Sequence, residues 1–204
     1  MAAEPPIPEQ KRELRRRMRE ALARLDPQVR EGESEKLRQR LATDPHFASH
    51  RRLMGFVALP SEPDLLPLLR ALANEGREVF LPRWNVTSQR YEPAKMPADG
   101  NLVAGPFGVF EPPLPTPAVS HEPLDLILVP GLAFDADGRR LGRGRGFYDR
   151  ILAQSGPARR WGVAFDLQIV EVVPCEMHDV KLDRIATPAG WLSNSHRHPS
   201  PAPL

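Results

Sequence analysis

The chain has one cysteine, Cys175, in 204 residues, which excludes an intramolecular disulfide and a cysteine-built zinc site. No apolar run approaches the length needed to cross a bilayer. The first residues, MAAEPPIPEQKRELRRRMREALARL, lack an apolar signal core, and Glu4, Glu9, Glu13 and Glu20 argue against an organelle transit peptide. Aromatic residues make up only 6% and the net charge is only +2, so there is no overall electrostatic footprint for nucleic acid. There is no internal repeat. One ordinary cytoplasmic domain, an enzyme or a binding protein, is the expectation.

What is present is a globular composition, 41% hydrophobic and 26% charged, with the positive charge concentrated in two places. These are Lys11 to Arg24 and Arg139 to Arg150. Two basic segments far apart in sequence could converge on one anionic ligand, or could be two solvated surfaces. Residues 1–9 are proline-rich and expected to be disordered, as is the tail 193–204, which has almost nothing to bury. Between them, 10–192 read as a single α/β domain. Leu14, Met18, Ala21, Leu22 and Leu25 share one face of a helix over 10–25. Asp26-Pro27 opens a second helix running to Thr43. A strand over 52–60, a helix over 64–76 and a strand over 77–84 form a βαβ unit. An exposed strand follows at 89–96 and a long proline-rich connection at 97–123. LDLILVPG (124–131) is a buried parallel strand. A helix at 147–155 and strands at 159–166 and 183–191 complete an open, mostly parallel sheet flanked by helices, Rossmann-like in its three layers.

The stretch RLGRGRGFYDR (140–150) is costly for mere stability, because each of Gly142, Gly144 and Gly146 loses backbone entropy on folding. It follows the carboxyl end of the buried strand, where ligands bind in open α/β sheets. Glycines let backbone N–H groups turn inward as an anion nest, and Arg143 and Arg145 supply fork-shaped cations suited to phosphate. The helix after it adds a positive N-terminus. Asp149 beside a phosphate is repulsive unless a cation lies between them, and Mg²⁺ meets that condition. The spacing fits neither a P-loop nor the dinucleotide fingerprint.

LILVPGLAFDADGRRLGRGRGFYDRIL (126–152) resembles the signature of the 5-formyltetrahydrofolate cyclo-ligase family. KRELRRRM (11–18), ALPSEPDLLPLLRAL (58–72), FGVFEPP (107–113) and VPCEMHDVKLDRIATPAG (173–190) are similar to further family segments, in the family order. The resemblance implies ATP-dependent cyclisation of 5-formyltetrahydrofolate to 5,10-methenyltetrahydrofolate, with release of ADP and phosphate. It implies ATP contacts at Lys11, Arg15, Arg140, Leu141, Gly142, Arg143, Gly144, Arg145, Gly146, Phe147 and Tyr148. The folate contacts would be Val57, Glu62 and the overlapping run Arg143, Gly144, Arg145, Gly146 and Phe147. The magnesium positions would be Asp149 and Asp179, and Arg143, Arg145 and Tyr148 would act in catalysis. Phe147 stands where tyrosine is usual in the family and Leu65 where threonine is usual. His178 reads as a neighbour rather than a ligand, because Mg²⁺ prefers oxygen. Trp84 and Trp161 read as packing residues and Cys175 as structural.

The resemblance also implies a small-molecule partner; no nucleic acid, no membrane and a monomer are the expectations beside it. Two other functions stay open at this level. One is a non-catalytic folate or nucleotide sensor on the same fold. The other is an RNA-binding protein that uses its arginine-glycine run.

Overall fold

The computed structural model describes residues 5–114 and 123–193. The chain opens with three helices, α1 (Ile7–Ala23), α2 (Pro27–Thr43) and α3 (Pro45–Ser49). It continues through strand β1 (Arg52–Met54), α4 (Leu66–Asn74), β2 (Glu78–Asn85) and β3 (Arg90–Lys95). A small hairpin, β4 (Val103–Ala104) and β5 (Phe110–Glu111), precedes β6 (Leu126–Val129). A second hairpin, β7 (Ala133–Phe134) and β8 (Arg140–Leu141), leads to α5 (Phe147–Ala153), β9 (Arg159–Val163), β10 (Arg184–Ala186) and β11 (Trp191–Ser193).

Seven strands form one sheet in the order β11-β10-β9-β6-β1-β2-β3. The five inner strands are parallel, and β3 and β11 are antiparallel edges. Alternation along the strands sorts side chains to two faces. Leu53, Val79, Leu81, Leu126 and Leu128 pack with Leu14, Leu22, Leu41 and Leu69 from α1, α2 and α4. Met54, Phe80, Ile127 and Val129 pack with Ile151 and Leu152 of α5 on the opposite face. The three-layer α/β architecture is therefore observed.

Several boundaries differ from the sequence expectation. α1 begins at Ile7 rather than residue 10, so residues 7–9 are helical and not disordered; Pro6 stands at the N-cap, and proline is tolerated there because the first helical N–H groups have no acceptor. Strand β1 ends at Met54, although the Gly55 N–H still donates to the Phe80 carbonyl at 2.9 Å. The rest of 55–60 has left the sheet to approach the site. The final strand expected at 183–191 is two strands, because Thr187–Gly190 closes a turn that pairs β11 with β10. Ser193, placed in the expected tail, belongs to β11; 194–204 lie outside the described residues, as do 115–122 within the connection. α5 has only seven residues, so its terminus adds less positive potential than expected.

The order of the sheet locates the site. From β1 the chain builds outward through β2 in one direction, then returns to the other side of β1 with β6 and builds outward through β9 and β10. The strand order thus reverses between β1 and β6. A crevice opens at such a switch point, beyond the carboxyl ends of the strands. Gly55–Glu62 leaves β1 there, and Pro130–Gly146 leaves β6 there.

Candidate active site

A cavity of about 190 Å³ lies at this switch point. Its walls bring together Val57, Glu62, Arg140, Gly142, Arg143, Arg145, Gly146, Phe147, Tyr148 and Asp149. It is smaller than the roughly 300–1,000 Å³ common for drug-sized ligands, and so has the size of a ring system. The remaining expected residues lie elsewhere. Leu141 is buried in the core, and its carbonyl accepts from Leu132 N–H at 2.8 Å, so its side chain is unavailable to a ligand. Gly144 sits on the loop next to Arg15, while Lys11 and Asp179 pair with each other outside the cavity.

The two basic segments meet. Arg15 Nε donates to the Gly142 carbonyl at 2.9 Å, and Arg19 Nη2 donates to the Arg143 carbonyl at 3.2 Å. Helix α1 thereby fixes the glycine loop from one side. Gly144 (φ +100°) and Gly146 (φ +64°) take left-handed conformations that residues with a Cβ adopt only under strain. The glycines are required by the course of the loop, and the arginines between them are held in place.

Each acidic group expected to meet a ligand is paired with a cation. Glu62 is 6% exposed; its Oε1 accepts from Arg143 Nε at 2.8 Å and its Oε2 accepts from Leu59 N–H at 3.0 Å. Arg143 Nη2 also donates to Ser61 Oγ at 2.8 Å. Asp149 accepts a short hydrogen bond from Arg140. Burial pushes the Arg140 guanidinium down, and the charges of Asp149 and Asp179 oppose it. Lys11 Nζ donates to Asp179 Oδ2 at 2.6 Å and to Glu176 Oε2 at 2.7 Å. Burial lowers the Lys11 pKa, yet the hydrogen bonds to Asp179 and Glu176 outweigh it and leave it raised. Burial raises the Asp179 carboxyl, while Lys11 and the Glu176 N–H bring it below its ordinary value.

Among the described residues, Glu176, His178 and Asp179 place one potential ligand atom each within 4.8 Å of one another. His178 Nε2 is 3.9 Å from both carboxylates, and its side chain is largely exposed. Glu176 and Asp179 thus pair with Lys11, while Asp149 pairs separately with Arg140. The carboxylate oxygens of the Glu176–Asp179 cluster are of the kind that Mg²⁺ prefers. Glu176, three residues before Asp179, was not among the residues expected from the sequence; its N–H donates to the Asp179 carboxylate at 2.7 Å.

The opposite wall is aromatic. Phe147 lies 5.0 Å from Tyr91, 5.3 Å from Phe107 and 5.8 Å from Trp84, centroid to centroid. Arg145 stacks over Phe107 at 4.5 Å, and Arg150 over Phe147 at 5.4 Å. Phe107 has φ +66° and is 45% exposed, an outlier position for a bulky residue. Tyr91, Phe107 and Pro82 line the cavity but were not picked out from sequence, since a proline-rich connection hides which aromatic returns to the site. Trp84 packs within this aromatic group, as expected for a packing residue. The Tyr148 hydroxyl is buried and has no hydrogen-bond partner among the described residues, and burial pushes its pKa up. A neutral hydroxyl in that position is a donor awaiting an acceptor.

The fold and site define a class: an open α/β protein whose switch-point cavity joins an aromatic ring pocket to a cationic glycine loop, with Glu62 and Asp149 in its walls. The model of the 5-formyltetrahydrofolate cyclo-ligase family matches residues 7–188, and the chain belongs to that family. It is 37% identical over 191 residues to a 5-formyltetrahydrofolate cyclo-ligase of Mycolicibacterium smegmatis, covering 89% of this chain and 95% of the relative. It is 31% identical over 174 residues to the 5-formyltetrahydrofolate cyclo-ligase of Escherichia coli K12, covering 81% and 93%. The NMR structure of Aquifex aeolicus 5,10-methenyltetrahydrofolate synthetase superposes with a TM-score of 0.82 at 30% identity, covering 94% of this chain and 96% of that one.

Proposed function

We propose that this chain converts 5-formyltetrahydrofolate and ATP into 5,10-methenyltetrahydrofolate, ADP and phosphate. The observation that carries this reading is the family match over residues 7–188, together with one cavity that joins Glu62 to the glycine loop. A formamide oxygen is a poor leaving group, so N10 cannot close the ring directly. In the proposed sequence, the formyl oxygen attacks the γ-phosphorus of ATP and the bond to ADP breaks. N10 then attacks the formyl carbon, phosphate departs with the former formyl oxygen, and N10 gives up its proton. The protein has to position the two reactants and stabilise phosphoryl charge.

In this reading Glu62 accepts N–H bonds from the pterin edge, and Val57, Tyr91, Phe107 and Phe147 enclose its ring. Arg143, Arg145, Lys11, Arg15 and the N–H groups of Gly142–Gly146 hold phosphate oxygens. The Tyr148 hydroxyl donates to an oxygen within the cavity. Asp149, Asp179 and Glu176 would hold Mg²⁺, which when bound neutralises phosphate charge. Phe147 keeps the stacking surface of the tyrosine usual in the family but brings no hydroxyl.

A monomer is proposed, and the single cysteine suits a reducing, cytoplasmic setting. Among the described residues no helix is long and apolar enough to cross a membrane. The RNA-binding alternative loses its basis, because the arginine-glycine run is folded as β8, a held loop and α5, with Arg140 and Arg143 in ion pairs. The test is the absorbance of methenyl-folate formed from 5-formyltetrahydrofolate. Product should appear only with ATP and a divalent cation together; binding of both ligands without turnover would instead identify a sensor.

A further inference from the structure

Arg143 and Glu62 belong to different halves of the proposed reaction, yet in the ligand-free chain they hold each other. Arg143 Nε is 2.8 Å from Glu62 Oε1, and Glu62 is nearly inaccessible. A guanidinium and an aminopyrimidine edge both offer a carboxylate paired N–H donors in one plane. They therefore compete for Oε1, the oxygen that the Leu59 N–H does not already hold. Separating the pair with no replacement is unfavourable, because the buried Glu62 carboxylate is left uncompensated. Arg143 is thus not free for a phosphate until another donor satisfies Glu62.

The loop is built for such an exchange. Arg143 stands between Gly142 and Gly144, and its backbone is fixed from the other side: Arg15 holds the Gly142 carbonyl and Arg19 the Arg143 carbonyl. The side chain can turn while the loop stays. Its head is partly exposed, at 32%, so it can leave Glu62 without crossing the core.

We infer that Arg143 couples the two ligand sites. Glu62 holds it away from phosphate in the empty site, and the pterin edge of the substrate releases it by taking over the carboxylate. The inference rests on the reading above, in which Glu62 meets the pterin and Arg143 the phosphate. The result is that folate strengthens nucleotide binding, and nucleotide strengthens folate binding by the same factor, since coupling between sites is reciprocal. A nucleotide arriving alone finds the loop one cation short, which guards against unproductive use of ATP.

The experiment is calorimetric titration of the full chain with a non-hydrolysable ATP analogue in Mg²⁺ buffer, with and without saturating 5-formyltetrahydrofolate. The wild type should bind the analogue about tenfold tighter when folate is present, the equivalent of one released charge-assisted contact. Glu62→Gln should weaken folate and, without folate, bind the analogue severalfold tighter than wild type, with the coupling reduced towards one. Arg143→Gln should bind the analogue more weakly, lose the coupling, and retain folate affinity at or above the wild-type level. This second variant also guards against a folding defect in the first. If Glu62→Gln weakens folate but leaves analogue affinity unchanged or lower, the coupling role of Arg143 is overturned while the pterin role of Glu62 stands. If Glu62→Gln leaves folate affinity unchanged, both fall together.

Discussion

Two arginines in this protein stack on aromatic pairs, and they differ in one respect. At the edge of the sheet, Arg184 lies 3.9 Å over Trp191 and 4.9 Å over Trp161, with its Nη2 3.3 Å from the Asp44 carboxylate. At the cavity, Arg145 lies 4.5 Å over Phe107 and 6.0 Å over Phe147, with no ion-pair partner among the described residues. The first charge is balanced by the protein, so the stack serves to pin β10 and β11 against α3. The second is left open beside a ring pocket and a glycine loop. The physical chemistry of the contact is the same; the difference is the carboxylate, which the second lacks among the described residues. Arg140 and Lys11 belong with Arg184 in being balanced, although their carboxylates border the site.

Balanced cations should report on stability and the open one on activity. The largest effect is expected for Asp149→Ala. It leaves the buried Arg140 guanidinium unpaired, at a cost of about 3–5 kcal/mol. The melting temperature should fall by roughly 6 °C or more, along with activity. A variant that loses activity at wild-type melting temperature would show that Arg140 does not depend on this carboxylate. Arg145→Ala should do the reverse. Steady-state turnover should fall roughly 10- to 100-fold, the loss of one charge-assisted contact, while thermal stability stays within about 0.5 kcal/mol. Equal activity of this variant and wild type would remove Arg145 from the site. Arg184→Ala should cost about 2 kcal/mol, or roughly 4–8 °C, and leave activity per folded molecule intact. A drop in kcat without a drop in melting temperature would break the distinction between the two stacks.

Much of this arrangement was legible in the sequence. The continuous apolar run Leu126–Val129 is a strand buried on both faces, hydrophobic spacing marked α1, and the stretch closed by Gly76 marked α4. The glycine loop could be placed at the carboxyl end of its strand because the strand itself was unmistakable. The glycines pointed to a backbone that something must approach closely, but only the structure shows that Gly144 has φ +100° and Gly146 φ +64°, so that a Cβ at either would be strained. What was not legible is long-range pairing. Nothing local to Lys11 shows that its ammonium rests between Glu176 and Asp179, 165 and 168 residues away. Nor does anything near Phe107 show that the connection folds back to place it against Phe147. Such contacts are set by sheet order, which composition and periodicity do not encode.

The Lys11 pairing carries the smallest expected effect and the most specific signature. The Lys11 pKa is raised above its ordinary 10.5, so its contribution to stability is complete below that pH and is lost as pH rises through the higher folded value. Asp179 is lowered from its ordinary 3.8, so its contribution is complete above that pH and is lost as pH falls through the lower folded value. Lys11→Met keeps the apolar stem and removes the charge. It should cost about 1 kcal/mol in the nucleotide-free protein, between an exposed and a fully buried pair. The difference in melting temperature from wild type should form a plateau from about pH 4 to pH 10. It should close on the acid side as the carboxylates of both proteins protonate, and on the alkaline side as wild-type Lys11 gives up its proton. Chemical denaturation across that range measures it. A difference that stays constant through both limbs would mean that Lys11 contributes packing alone, and that the ammonium between Glu176 and Asp179 adds nothing to the stability of the empty site.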